Sequence, residues 1–236
     1  MTEPKDIAKA AYGELRKTFR PGLARDRIEL IQELVRGKSV LDVGCVEHST
    51  ESEARPVWLH RAICNVAKEV VGLDYEEAEV RKLREKGYHV VSGDATNFDL
   101  KRTFDVVVAG EILEHLLDVR GFLASAKRHL SAEGSLVMTV PNANSFNYFM
   151  QNLVYGYEVD GYDHVAFYTP LTLYNLLRKC GFAAKEMIFL QPATTEHHAS
   201  SKDRLIVGLF GLIQLPLVAM RRSLCRQLAV VATPAA

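Results

Sequence analysis

The stretch from Val40 to Ser49, "VLDVGCVEHS", decides how the rest of the chain is read. An apolar run leads to Asp42 and then Gly44, the pattern of a strand ending in a tight turn where backbone passes close to a ligand. A dinucleotide-binding turn would continue as G-x-G-x-x-G. Here Val46, Glu47 and His48 follow instead. The stretch is either a ligand loop with different chemistry or one that has lost its ligand, and the elements downstream decide between the two.

From Ser39 onward, short apolar runs alternate with amphipathic ones. "SVLDVG" (39–44), "VVGLD" (70–74), "YHVVSGD" (88–94), "FDVVVAGE" (104–111), "GSLVMTVPN" (134–142), "AKEMIFLQ" (184–191) and "RQLAVVATP" (226–234) read as seven strands. The fourth is continuous in β-branched residues, as a parallel strand covered on both faces should be. Between them, residues 58–69, 76–87, 119–130 and 170–182 carry apolar residues at helical spacing. This alternation predicts an α/β fold, Rossmann-like, with a seven-stranded, mostly parallel sheet and helices on both faces. Residues 1–36 look helical and are expected to form a flap over the site. The chain reads as one domain: a core over 37–141, an acceptor lid loop over 142–169, and a C-terminal half over 170–236 with an apolar insertion at 204–224.

The 236 residues, 48% apolar and 25% charged, suffice for one well-buried core. Twenty-nine basic residues balance 29 acidic ones. That counts against a nucleic-acid footprint, which leaves a basic excess. Cys45, Cys64, Cys180 and Cys225 form no C-x-x-C pair, so they read as buried thiols of a reducing compartment. The N-terminal segment is polar and has no apolar signal core, and the expected location is the cytoplasm. "LIVGLFGLIQLPLVAM" (205–220) has 16 residues, interrupted by Gln214 and Pro216. A spanning helix needs about 20. The segment is read as a hairpin over a cleft or core, with peripheral membrane contact as the alternative.

In such a sheet, ligands bind at the carboxyl ends of the strands, near the point where strand order reverses. The acids standing there are Asp42, Asp74, Asp94 and Glu111. One such acid is commonplace as a helix cap. Four at successive strand ends point to a nucleoside site, and their negative charge suits a cationic or neutral cofactor better than a polyphosphate.

On "VLDVGC", "VVGLD", "VSGDA", "FDVVVAGEILEHLLDVRGFL", "GSLVMTVPN" and "DHVAFYTPLTLYNLLRKCGF", in this order, the chain resembles the class I S-adenosylmethionine-dependent methyltransferases from Ser39 to Phe182. The resemblance implies S-adenosylmethionine as cofactor. Asp42 and Gly44, with Cys45 and His48 beside them, would line its methionine and ribose side. Asp74 would bind the ribose, Asp94 with Ala95 the adenine, and Glu111 would stand at the cofactor as well. The family usually continues "GCGxG" where this chain has "GCVEHS", which implies a re-shaped loop with Glu47 or His48 at the methionine end.

"GEILEHL" places Glu111, Glu114 and His115 just past the fourth strand, and His164 in "YDHVAF" returns over the same pocket. Glu111 and Glu114 are three apart and share a face on a helical turn. Two carboxylates and two imidazoles make a mixed oxygen and nitrogen site for Mg²⁺ or Mn²⁺. Relatives of this pattern without a metal give the alternative: a glutamate contacts the cofactor, as Glu111 would, while His115 or His164, with Glu114 in the catalytic group, serves as base or packs the loop. The pattern resembles metal-dependent O-methyltransferases of catechol-type quinone precursors and of the terminal ribose of small RNAs. His60 reads as a structural residue, and His89 and His129 as surface positions. His197 and His198 fall in a polar loop.

The region 142–168 mixes Phe146, Tyr148, Phe149, Tyr155, Tyr157, Tyr162, Phe167 and Tyr168 with Asn142, Asn144, Asn147, Asp160 and Asp163. Aromatic faces beside amides and acids suit a polyhydroxylated ring. "GCVEHS" with "WLH" also resembles methyltransferases of glycan and polysaccharide assembly. The expected activity is O-methylation of a sugar hydroxyl. A phenolic or quinone-like small molecule is the second enzymatic reading, and a cofactor-binding partner without turnover the non-enzymatic one. A homodimer is compatible with all three.

Overall fold

The seven strands form a single sheet in the computed structural model, which describes residues 4–24, 26–46, 58–157, 163–191 and 213–235. They are β1 (Ser39–Val43), β2 (Glu69–Asp74), β3 (Val90–Ser92), β4 (Phe104–Gly110), β5 (Leu130–Pro141), β6 (Phe182–Leu190) and β7 (Gln227–Pro234). The order is β3-β2-β1-β4-β5-β7-β6. β1 pairs in parallel with β2 on one side and β4 on the other. β7 alone runs antiparallel, between β5 and β6. Strand order therefore reverses between β1 and β4, and the ends of those strands flank the crevice.

Alternation along the strands divides the core. Leu41, Val43, Val107, Ala109, Met138 and Val140 pack on one face, under α5 (Val119–Arg128) and α7 (Pro170–Lys179). Val40, Val106, Val108 and Val137 pack on the other, under α2 (Arg27–Val35) and α3 (Leu59–Cys64). This two-sided burial is why β4 reads as an unbroken apolar run. α4 (Glu77–Glu85) covers the β3 end through Val80 and Leu83.

The N-terminal 36 residues are not simply a helical flap. α1 (Pro4–Arg16) packs on α7, and α2 begins at an Asp26 cap whose carboxylate accepts from Ile28 and Glu29 N–H. Between them the chain runs extended along β6, where Phe19 and Ala24 form parallel bridges with Met187 and Leu190. The expected lid loop also contains a helix, α6 (Phe146–Tyr155). Ser145 caps its start, and Gly156, at φ 79°, ends it in the left-handed conformation. α6 lacked a helical signature because its apolar stripe does not face the core. Gln151 is its buried residue, while Phe149, Leu153 and Val154 are exposed. Residues 213–220 are helical, and the remainder of the 205–220 stretch lies outside the described residues. Among the described residues, no helix is long and apolar enough to cross a membrane.

His129 is a correction: it is buried rather than on the surface, with Nε2 accepting from Leu100 N–H and Nδ1 bonded to Ser125 O. Cys45 and Cys225 are buried, whereas Cys64 and Cys180 are only half-buried.

β2 passes β1 with a glycine at the point of closest packing. A Cβ on Gly72 would lie 2.7 Å from Cys45 Sγ and from Val90 Cγ1, and 2.9 Å from His60 Cε1. Gly72→Ala is expected to overpack this layer and cost about 1–3 kcal/mol. A lower urea midpoint at unchanged slope would register it.

Candidate cofactor and acceptor site

The turn after β1 is fixed at each residue. Gly44, at φ 80°, donates its N–H to Leu73 O at 2.8 Å. A side chain there would be strained by the positive φ, and its Cβ would sit tight against Ile112 Cδ1 at 3.0 Å. Val46 N–H donates to Asp74 Oδ2 at 2.9 Å, and Glu76 N–H to Asp74 Oδ1 at 3.1 Å. Asp74 is thus held at the end of β2 with its carboxylate already oriented. Burial pushes its pKa up, and the two backbone bonds work against that rise.

Asp42 points elsewhere than expected of a cofactor ligand. It is 2% exposed, and its Oδ2 accepts from His60 Nδ1 at 2.8 Å. Burial works against a charged His60 ring, but hydrogen bonds to Asp42 and Cys64 and the Asp42 charge outweigh it and raise its pKa to about 10. Glu47 and His48 lie outside the described residues. At the end of β3, Asp94 is exposed, with Ala95 half-buried beside it. Its Oδ1 accepts from Thr96 N–H and Oγ1–H, both at 2.8 Å, and the backbone bond from Thr96 holds its pKa low.

The end of β4 is strained. Glu111 has φ 56°, a left-handed conformation that costs a non-glycine residue of order 1 kcal/mol or more. Its N–H is tied to Thr139 O at 3.0 Å, and Gln227 Nε2 donates to its Oε2 at 3.1 Å. Glu111 Oε1, Thr139 Oγ1 and Gln227 Oε1 are enclosed without a protein partner. Such strain and such orphaned atoms gather at functional sites. Burial pushes the Glu111 carboxyl up, while the Arg27 guanidinium at the start of α2 opposes the shift.

Glu114, on a 3-10 turn over Leu113–His115, is 1% exposed and has no protein partner on either oxygen. Burial, and then the like charge of Glu111, push its pKa up to about 9. Its carbonyl accepts from Val165 N–H at 2.8 Å, which brings His164 back over the site. The His115 and His164 rings meet edge to face with centroids 4.8 Å apart. Asp163 Oδ2 stands 3.2 Å from His115 Nδ1. Donor atoms of Glu114, His115 and His164 all lie within 4.8 Å of one another. Glu111, expected as a fourth ligand, is not part of that group. One carboxylate and two imidazoles match what Mn²⁺ or a similar divalent ion accepts.

Outward from this group, Phe167 stands 5.5 Å from His164, ring to ring, and lines an open cavity of about 670 Å³ with Phe146, Tyr148 and Phe149 and the polar Asn144, Ser145 and Asn152. Asn142 does not line it. That residue is fully buried, and its Nδ2 donates to Ser223 O and Cys225 O. Asp160 and Tyr162 lie outside the described residues.

Parallel order around β1 with one antiparallel strand near the far edge, and acids at successive strand ends, agree with what the chain matches as a whole. A family model described as a methyltransferase domain covers residues 16–186. The chain belongs to the class I S-adenosylmethionine-dependent methyltransferase family. A probable S-adenosylmethionine-dependent methyltransferase of Mycolicibacterium smegmatis is 30% identical over 159 residues, 62% of this chain and 58% of that protein. The ubiquinone biosynthesis O-methyltransferase of Thiobacillus denitrificans is 26% identical, covering 64% of this chain and 67% of its own length. The methyltransferase chain thus spans little more than half of its mycobacterial relative. Among solved structures, a glycopeptide N-methyltransferase complexed with S-adenosylmethionine superposes with TM-score 0.57 at 13% identity over 92% of this chain and 90% of that one. A methyltransferase from Archaeoglobus fulgidus gives 0.53 at 20% identity, covering 94% and 98%. These likenesses concern the fold of the methyltransferase.

Sequence reading had not singled out Arg27, Thr139 or Gln227 as site residues. They reach the site from elements far apart in the chain, and nothing local marks them. Asp163, expected among the acids facing an acceptor, stands against His115.

A carboxyl group whose folded pKa lies above its unfolded value keeps its proton better in the native state. Its contribution to stability is complete below the unfolded value, near pH 4.5 for Glu114, and is lost as pH rises towards about 9. Glu114→Gln in chelator-treated protein is therefore expected to raise the melting temperature, with a gain that grows from pH 5 to pH 9. A gain independent of pH would show that Glu114 is ionised throughout.

Proposed function

We propose that this methyltransferase moves the methyl group of S-adenosylmethionine to a hydroxyl oxygen of a small aromatic acceptor. The observation that carries the reading is the enclosed Glu114, unpartnered at both oxygens and set against His115 and His164 beside an aromatic cavity. In the transfer, the acceptor oxygen attacks the methyl carbon in line, the carbon–sulfur bond breaks, and its electron pair leaves with sulfur as S-adenosylhomocysteine. Alignment supplies most of the rate. A hydroxyl needs its proton taken, a task suited to an imidazole. His115, oriented by Asp163, and His164 are the bases within reach. If Glu114, His115 and His164 hold a divalent ion, that ion would lower the pKa of the bound acceptor hydroxyl.

The cofactor takes the crevice between the ends of β1, β2, β3 and β4. Gly44 and Cys45 supply the turn, Asp74 meets the ribose, Asp94 and Ala95 the adenine, and Glu111 the methionine end. The N-terminal segment serves as cap, and 142–169 forms the acceptor wall. Phe146, Tyr148, Phe149 and Phe167 line the cavity beside Asn144, Ser145 and Asn152, and stacking on these rings supports a phenolic acceptor. The ubiquinone-biosynthesis name of one relative points the same way. Ile213, Leu215 and Met220 are exposed on the 213–220 helix and suit an acceptor of apolar character.

Methyl transfer from labelled S-adenosylmethionine to catechols, monosaccharides and amines tests the acceptor. Catechols are the expected substrates. Transfer confined to sugars or amines overturns the aromatic reading, and cofactor binding without any transfer supports the non-catalytic one. His164→Ala is expected to lower kcat about 10²–10⁴-fold while cofactor affinity stays within about threefold. Activity abolished by chelation and restored by Mg²⁺ or Mn²⁺ would place the ion, and full activity after chelation would leave the imidazoles as plain bases. Asp74→Ala is expected to weaken cofactor binding by roughly 1–3 kcal/mol. Unchanged affinity by calorimetry in a folded variant would remove Asp74 from the site.

A further inference from the structure

The β1 turn lacks the second and third glycines with which such turns ordinarily bring backbone up to a ligand. Cys45 and Val46 carry side chains there, 2% and 1% exposed, packed against Trp58, Val80, Leu83, Val90 and Tyr88. The backbone path must then be held from outside. Gly44 N–H is tied to Leu73 O and Val46 N–H to Asp74. Between them, the Cys45 carbonyl accepts from Trp58 Nε1 at 3.0 Å. Trp58 is 1% exposed and sits immediately before α3. Its ring meets Tyr88 edge to face at 5.1 Å and lies 5.3 Å from the His60 ring, which is bonded to Asp42 beneath the turn. An indole in a purely apolar pocket would leave its N–H orphaned. Here the N–H meets the peptide oxygen whose orientation sets the direction of the Cys45–Val46 amide.

We propose that Trp58 is a positioning residue for the cofactor turn: its indole N–H holds the Cys45 carbonyl, and with it the Gly44–Val46 backbone, in the orientation that receives S-adenosylmethionine. The inference rests on the cofactor reading above. It assigns to a side chain the restraint that successive glycines would otherwise leave to close backbone packing. Asp42 and His60, neutralising one another below, keep the layer closed so that the indole has a fixed seat.

Trp58 is the only tryptophan in the chain. Expression in a tryptophan auxotroph with benzothienylalanine therefore replaces this one indole by a ring of nearly the same shape that has no N–H. The full chain so labelled is compared with the ordinary protein by calorimetry with S-adenosylhomocysteine and by steady-state kinetics. A net hydrogen bond is worth about 0.5–1.5 kcal/mol, so the dissociation constant and the cofactor KM should rise about threefold to tenfold, with kcat at saturating cofactor retained within about twofold. Tyr88→Leu, which removes the ring packed on Trp58 but not the N–H, should lower the melting temperature and leave cofactor affinity within about twofold. Tryptophan emission in the ordinary protein should shift on adding S-adenosylhomocysteine. Equal affinity of the labelled and ordinary proteins, or an equal loss in Tyr88→Leu, overturns the positioning role. Failure of the ordinary protein to bind S-adenosylhomocysteine at all would instead overturn the cofactor reading. Should the labelled protein not fold, exchange protection of the Trp58 indole proton decides: greater protection with S-adenosylhomocysteine bound supports the role, and no change overturns it.

Discussion

The carboxylate of Asp74 accepting the Val46 N–H ties the end of β2 to the turn after β1, and the crevice depends on that tie. Parallel pairing alone fixes the two strands only as far as Val43 and Leu73. Beyond that point the chains diverge, and an unbonded amide in a buried turn would cost more than the bond itself contributes. The tie satisfies the amide and orients the acid with one contact. Gly44 can then approach Ile112, which follows the strained Glu111, so the floor of the crevice joins the ends of β1, β2 and β4.

Much of this was legible in the sequence because it is local. Runs such as "FDVVVAGE" and "SVLDVG" announce buried parallel strands, and Gly44 announces a close approach. The acids at the strand ends follow from those assignments. What was not legible depends on distance or on inverted patterns. The extended segment along β6 is recognisable only once the edge it covers is known. α6 turns its apolar residues to solvent and buries Gln151, so its periodicity points away from the core that a reader looks for. Asp42 stands where the family pattern would read a ligand, yet it pairs with His60, a residue reached only when α3 packs against β1.

The surroundings of Glu111 and Glu114 follow a different logic from the ends of β1 to β3. At the ends of β1 to β3, Asp42, Asp74 and Asp94 each have a protein partner, from side chain or backbone. Around Glu111 and Glu114, burial is left uncompensated: three enclosed carboxylate oxygens have no protein partner. Two adjacent buried acids cannot both carry charge cheaply. Arg27 from the N-terminal segment eases that repulsion, so a part of the chain remote from the strand ends takes part in their electrostatics.

The segment over residues 18–24 lies along β6 with its backbone amides and carbonyls engaged there. At the opposite edge, β3 offers only Val90–Ser92. One border of the sheet is thus occupied and the other is too short to template a further strand. Among the described residues, neither border therefore offers a long free edge on which a strand from another chain could lengthen the sheet.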